Sequence, residues 1–150
     1  MRNFPPERII CLTEETVETL YLLGEQNRIV GVTGYAVRPP VVRKDKERVS
    51  AFTSAKIDKI LSLQPDLVLA FSDLQADISA ELIKSGVAVM AYNQRDIVGI
   101  LAMIRHLGAI VGVGDKAEEL ASSYEKRLGD LQAKKKLVDR PRENLSLIHI

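Results

Sequence analysis

The sequence predicts an open parallel α/β sheet of four or five strands with helices on both faces, followed by one long helix. Three observations predict it. Short β-rich runs alternate with segments of helical period. One run, Asp66-Leu-Val-Leu-Ala-Phe71, is apolar throughout after its first residue, the mark of a strand covered on both faces. After Gly112 the alternation stops, and a single amphipathic pattern runs on to about Val138.

The first strand is Arg8 to Leu12. A helix follows from Glu14 to Leu23, with Val17, Leu20 and Tyr21 on one face and Gly24 as its stop. The second strand is Arg28 to Val32. Thr33 to Ser50 shows no period, holds Pro39-Pro40 and a charged stretch from Arg43 to Arg48, and reads as a long loop. Ser54 is placed to cap a short helix reaching Leu63, with Ile57, Ile60 and Leu61 inward and Pro65 beyond its end. The Asp66–Phe71 strand comes next. A helix then spans Leu74 to Lys84, with Ile78, Leu82 and Ile83 inward and Gly86 closing it. Val87 to Ala91 is the fourth strand. Asp96 caps a helix whose stripe is Ile97, Ile100, Leu101, Ile104, Leu107 and Gly108. Crossovers between the parallel strands are expected to be right-handed.

The last helix, Asp115 to Val138, carries one apolar stripe of Ala117, Leu120, Ala121, Tyr124, Leu128 and Leu131. It spans roughly 35 Å at about 1.5 Å per residue. Two readings stand: a final helix that overhangs its sheet, or a strut leading to another domain. Residues 139–144 read as a turn feeding a new strand. Leu145 to Ile150 matches the translation of a transposon sequencing adaptor, so fold reasoning sets it and His149 aside.

Composition narrows the function classes. The chain has 150 residues, 46% of them hydrophobic, enough for one domain with a real core. A net charge of +1 offers no electrostatic footprint for nucleic acid or a membrane surface. Aromatics at 5%, with no Trp, argue against a base-stacking platform. The single cysteine, Cys11, sits among apolar residues and reads as core. The N-terminus to Arg8 lacks a secretory h-region, and no apolar run is long enough to span a bilayer. With His106 the one histidine left, a metal-ligand cluster is not expected, and His106 lies off the apolar stripe, toward solvent. Neither a Walker loop nor a Gly-x-Ser-x-Gly elbow is present, and Gly112-Val-Gly114 follows a helix, where no dinucleotide fingerprint belongs.

Ligands of open parallel sheets bind beyond the carboxyl ends of the strands. Those ends are Thr13-Glu14-Glu15, Thr33-Gly34-Tyr35, Phe71-Ser72-Asp73 and Tyr92-Asn93-Gln94, joined by Arg38 and Phe52 from the long loop. Their rings, hydroxyls, amides and one guanidinium suit a sizeable ligand of mixed polarity. Each has a structural alternative. Thr13 and Asp73 can cap the helices after them, Phe71 can belong to the core, and Asn93 and Gln94 can form the turn before Asp96. Glu14 or Asp73 could also act as the base of a small α/β enzyme, although acids at helix starts are common for dipole reasons.

In order along the chain, several runs resemble the substrate-binding proteins of ABC importers for vitamin B12 and iron siderophores. They are Arg8-Ile-Ile-Cys-Leu-Thr13, Glu18-Thr-Leu20, Leu23-Gly24, Arg28 to Tyr35, Pro39-Pro40, Arg48 to Phe52, Ile57-Asp-Lys-Ile60, Leu63 to Leu69 and Gly86-Val-Ala-Val89. The resemblance covers about residues 8–140. It implies two α/β lobes joined by one long rigid helix, with the ligand between them. On that pattern residues 8–112 are the first lobe, 115–138 the linker helix and 139–144 the start of a second lobe. It implies a binder without catalysis, cofactor or resident metal: a monomer that delivers cobalamin, a related corrinoid or a ferric chelate to a membrane permease. Asp58 stands where the first lobe's permease-docking carboxylate is expected, although Glu is common there. Two departures, Ser50-Ala51 for a glycine pair and Thr13-Glu14 for Ser-Pro, fall at the rim and keep the ligand's identity open. The resemblance implies a periplasmic or other extracytoplasmic location. With no signal visible, a cytoplasmic corrinoid or iron-chelate binding or sensing module remains the competing reading.

Overall fold

The computed structural model describes residues 4–50 and 55–138. Five parallel strands form one sheet in the order β3-β2-β1-β4-β5. They are β1 (Ile9–Cys11), β2 (Ile29–Thr33), β3 (Arg48–Ser50), β4 (Leu67–Phe71) and β5 (Val89–Tyr92). The helices are α1 (Glu14–Leu22), α2 (Val42–Asp45), α3 (Ile57–Ser62), α4 (Ala76–Lys84), α5 (Ile97–Ile110) and α6 (Gly114–Val138).

Strand alternation divides the core in two. Ile9, Cys11 and Leu69 face a layer built by α1, α5 and α6, where they meet Val17, Leu20, Ile104 and Leu107. Ile10, Leu12, Val68 and Ala70 face the opposite layer, against Ile60 of α3 and Ile78 and Leu82 of α4. Val68, Leu69 and Ala70 are fully buried, as a strand covered on both faces requires. Cys11 is also fully buried, and burial pushes its thiol up to about 12.

The stretch read as a loop holds two elements. β3 extends the sheet as an edge strand, pairing Val32 with Arg48 and Thr33 with Ser50. Val49 is its buried anchor. It packs over Gly31, where an added Cβ would stand 3.1 Å from Val49 Cγ1. α2 is a single turn held by Val42, its one buried side chain.

Three local expectations need correction. α3 begins at Ile57 with Lys56 in the N-cap position, so the cap is not Ser54, which lies outside the described residues. Ile83, expected inward, is 58% exposed because five residues past Ile78 it stands about 140° around α4 from it, off the face that Ile78 and Leu82 turn to the sheet. Asp73 does not cap the turn after β4; Ser72 does, its Oγ accepting from Leu74 N at 3.2 Å. The α5 cap is as expected, with Asp96 Oδ1 accepting from Gly99 N at 2.7 Å.

α6 runs 25 residues, roughly 37 Å. Ala117, Ala121 and Tyr124 are buried, while Leu128 and Leu131 are only half-buried. It meets α5 where Gly108 leaves room for Ala117. Arg105 of α5 adds ion pairs to Glu118 and Glu125. Lys116 Nζ donates to Leu23 O at 3.1 Å and ties the start of α6 to the end of α1. At the amino end of the sheet, Asp66 Oδ2 accepts from Glu7 N at 2.8 Å and Arg8 N at 3.0 Å, pinning the chain beside β4.

Candidate functional site

All five strands run the same way, so their carboxyl ends open onto one rim. The strand order reverses direction between β1 and β4, the place where such sheets leave a crevice. Beside it, the ends of β1 and β2 enclose an open depression of about 290 Å³ lined by Leu12, Thr13, Glu14, Glu15, Thr33 and Tyr35. The structure thus brings together Thr13, Glu14 and Tyr35. Tyr35 is 58% exposed.

Thr13 has the extended backbone of an N-cap, but its hydroxyl does not cap α1. It lies 3.1 Å from the Thr16 hydroxyl, which in turn donates to Thr13 O at 3.1 Å. Arg38, expected to face a ligand, reaches Glu18 of α1, with Nε 3.2 Å from Oε1. Phe52 lies outside the described residues.

The other half of the rim is stitched together separately. Ser72 N donates to Tyr92 O at 2.8 Å, and Arg95 Nη2 lies 3.5 Å from Asp73 Oδ1. Arg95 Nε also donates to Asn93 Oδ1 at 3.0 Å. Asp73 is therefore an exposed carboxylate occupied by an arginine. Gln94 packs beside Gly99, whose missing side chain leaves space for it. Phe71 is half-buried at the end of β4.

Tyr92 points toward α5, not across the rim. Its hydroxyl lies 2.7 Å from His106 Nδ1, and burial holds the phenol above its usual range. His106 is exposed, as expected, but serves as the partner of this phenol. Asp58 sits exposed in the first turn of α3.

Two features escaped the sequence. Ser72 adopts φ +54° and ψ −176°, a conformation that costs a non-glycine residue about 1–3 kcal/mol. Gln75 is wholly buried: its Oε1 accepts from Phe71 N at 2.8 Å and its Nε2 donates to Leu12 O at 3.0 Å. An isolated glutamine in a helical stretch carries no signal of such a role.

Among the described residues no group of three or more metal-ligating side chains occurs, and no helix is long and apolar enough to cross a membrane.

Known proteins share this fold. An uncharacterised ABC transporter substrate-binding lipoprotein of Bacillus subtilis is 30% identical over 149 residues, 97% of this chain and 47% of the relative. The solved periplasmic vitamin B12 binding protein of Vibrio cholerae superposes with a TM-score of 0.80 at 28% identity, covering 89% of this chain and 52% of that one. A periplasmic heme binding protein from Pseudomonas aeruginosa shares the fold, with a TM-score of 0.82 at 20% identity over 91% of this chain and 50% of that one. The chain spans about half the length of the relatives it matches. Residues 9–142 match the periplasmic binding protein family, and the chain belongs to it.

Proposed function

We propose that this chain supplies one lobe of the substrate-binding component of an ABC importer, and that its rim forms half of a cleft for a corrinoid. The observation that carries the reading is the convergence of all strand carboxyl ends on a rim offering Thr13, Glu14 and an exposed Tyr35 ring around an open depression. Such a surface holds a large ligand of mixed polarity, apolar area giving affinity and a few polar groups giving orientation.

The charge pattern favours a corrinoid over an anionic ferric chelate. Arg38 is paired with Glu18 and Arg95 with Asp73, so both guanidiniums near the rim are already balanced by carboxylates. An anionic chelate would need to displace those partners. The role is capture and delivery without turnover. Asp58, exposed at the start of α3, is the carboxylate offered to basic residues of the permease. α6 is the helix that carries the chain from this lobe toward a second one. The working location is outside the cytoplasmic membrane, as for the relatives.

Absorbance and calorimetric titration with cyanocobalamin, ferric siderophore and haem tests the reading, using the protein made from the longest reading frame that contains this sequence. Saturable binding of cyanocobalamin, weakened at least about tenfold by Tyr35→Ala with unchanged stability, is expected. Preference for an anionic ferric chelate, or affinity indifferent to Tyr35, would overturn the corrinoid assignment.

A further inference from the structure

Past the last shared rung of β1 and β4, one side chain stands between the two strands. Register pairs Ile9 with Leu67, Ile10 with Val68 and Cys11 with Leu69, and Leu12 N still donates to Leu69 O at 2.9 Å. In a parallel ladder the next bond would run directly from Phe71 N–H to Leu12 C=O. Gln75 takes both places. Its Oε1 receives the Phe71 N–H and its Nε2 donates to the Leu12 carbonyl, so one amide replaces a rung and stands between the strands. The side chain is fully buried, so the amide is part of the sheet's interior. Immediately beyond the wedge, β1 turns into Thr13 and β4 into Ser72 with its φ of +54°.

We propose that Gln75 is a positioning residue that parts β1 from β4 and thereby sets the width of the ligand crevice and the placement of Thr13 and Ser72 on its two lips. The proposal rests on the functional reading above, because the crevice matters only if the rim binds a ligand. Gln75 touches no ligand itself. It satisfies two backbone groups that would otherwise bond to each other and draw the lips together.

Two variants of the full-length protein test this. Gln75→Met keeps similar volume but cannot bridge. The ladder should then close by one rung, with slower hydrogen exchange at the Phe71 amide, a preserved thermal midpoint and cyanocobalamin affinity reduced at least about tenfold. A lowered midpoint with unchanged affinity would mark Gln75 as ordinary core and overturn the proposal. Gln75→Glu can accept from Phe71 but donates to Leu12 only when protonated, and burial raises a carboxyl into a reachable range. Its affinity should be weak at pH 8 and recover to within about twofold of the parent at pH 5. A folded Gln75→Glu protein binding equally at both pH values would also overturn it. If the parent binds no cyanocobalamin, the ligand reading fails by itself. The Phe71 amide then decides the wedge: slower exchange in Gln75→Met supports it, and unchanged or faster exchange refutes it.

Discussion

Tyr92 Oη lies 2.7 Å from His106 Nδ1, and the two rings meet edge to face with centroids 5.4 Å apart. The hydroxyl at the end of β5 is thus committed to α5, leaving only part of the ring to the rim. Tyr92→Phe should therefore keep cyanocobalamin affinity within about twofold. It should lower stability by about 1 kcal/mol or less, because the histidine partner is exposed and regains water. Titration together with urea unfolding checks both.

Cys11 makes a pH prediction with a definite sign. Burial raises its thiol from 9.0 to about 12 in the folded chain. The native state keeps the proton where the unfolded chain releases it, so stability from this group is complete below about pH 9 and is lost as pH rises toward 12. Urea midpoints should fall more steeply across that window for the parent than for Cys11→Ala. The thiol should also resist iodoacetamide at pH 8 until the protein is unfolded.

α5 and α6 pack together at Gly108 and Ala117, where a Cβ added at Gly108 would run into the Ala117 methyl. Gly108→Ala puts two methyl groups in one place. Despite the better helix propensity of alanine, it should destabilise by about 1–3 kcal/mol, read from the urea midpoint. Unchanged stability would mean that α6 can shift on α5 at no cost.

Asp66→Ala removes the acceptor of the Glu7 and Arg8 amides. A loss of about 1 kcal/mol is expected, concentrated locally. Hydrogen exchange should accelerate at Glu7 and Arg8 while the β4 amides stay protected.

Much of this architecture can be read in the sequence because its signals are strong and local. The apolar run at Leu67–Phe71, the Asp96 cap and the stripe of α6 each need only nearby residues to be recognised. The elements that stay hidden are those decided at a distance. β3 is three residues in a charged stretch, with Val49 alone buried, and becomes a strand only because β2 offers an edge over Gly31. Ile83 is as apolar as Leu82, but at about 100° per residue it stands about 140° around α4 from Ile78, where Leu82 stands about 40°, so it faces solvent. The rim follows from topology and so could be anticipated as a set of strand ends. Which groups are already spoken for could not. Arg38 meets Glu18 across 20 residues, and Gln75 meets Leu12 across 63.

The pinning of the N-terminal segment has a practical use. Asp66 holds Glu7 and Arg8 beside the starts of β1 and β4, Arg28 donates to Pro6 O at 2.7 Å, and Pro5 lies against Gly112 past the end of α5. All three contacts lie at the end of the sheet opposite the crevice. A fluorophore or surface linkage attached ahead of Glu7 would therefore leave the rim sterically open. The same attachment at Asn93 would shade it. Immobilised through its front segment, the protein should keep its solution affinity for ligand.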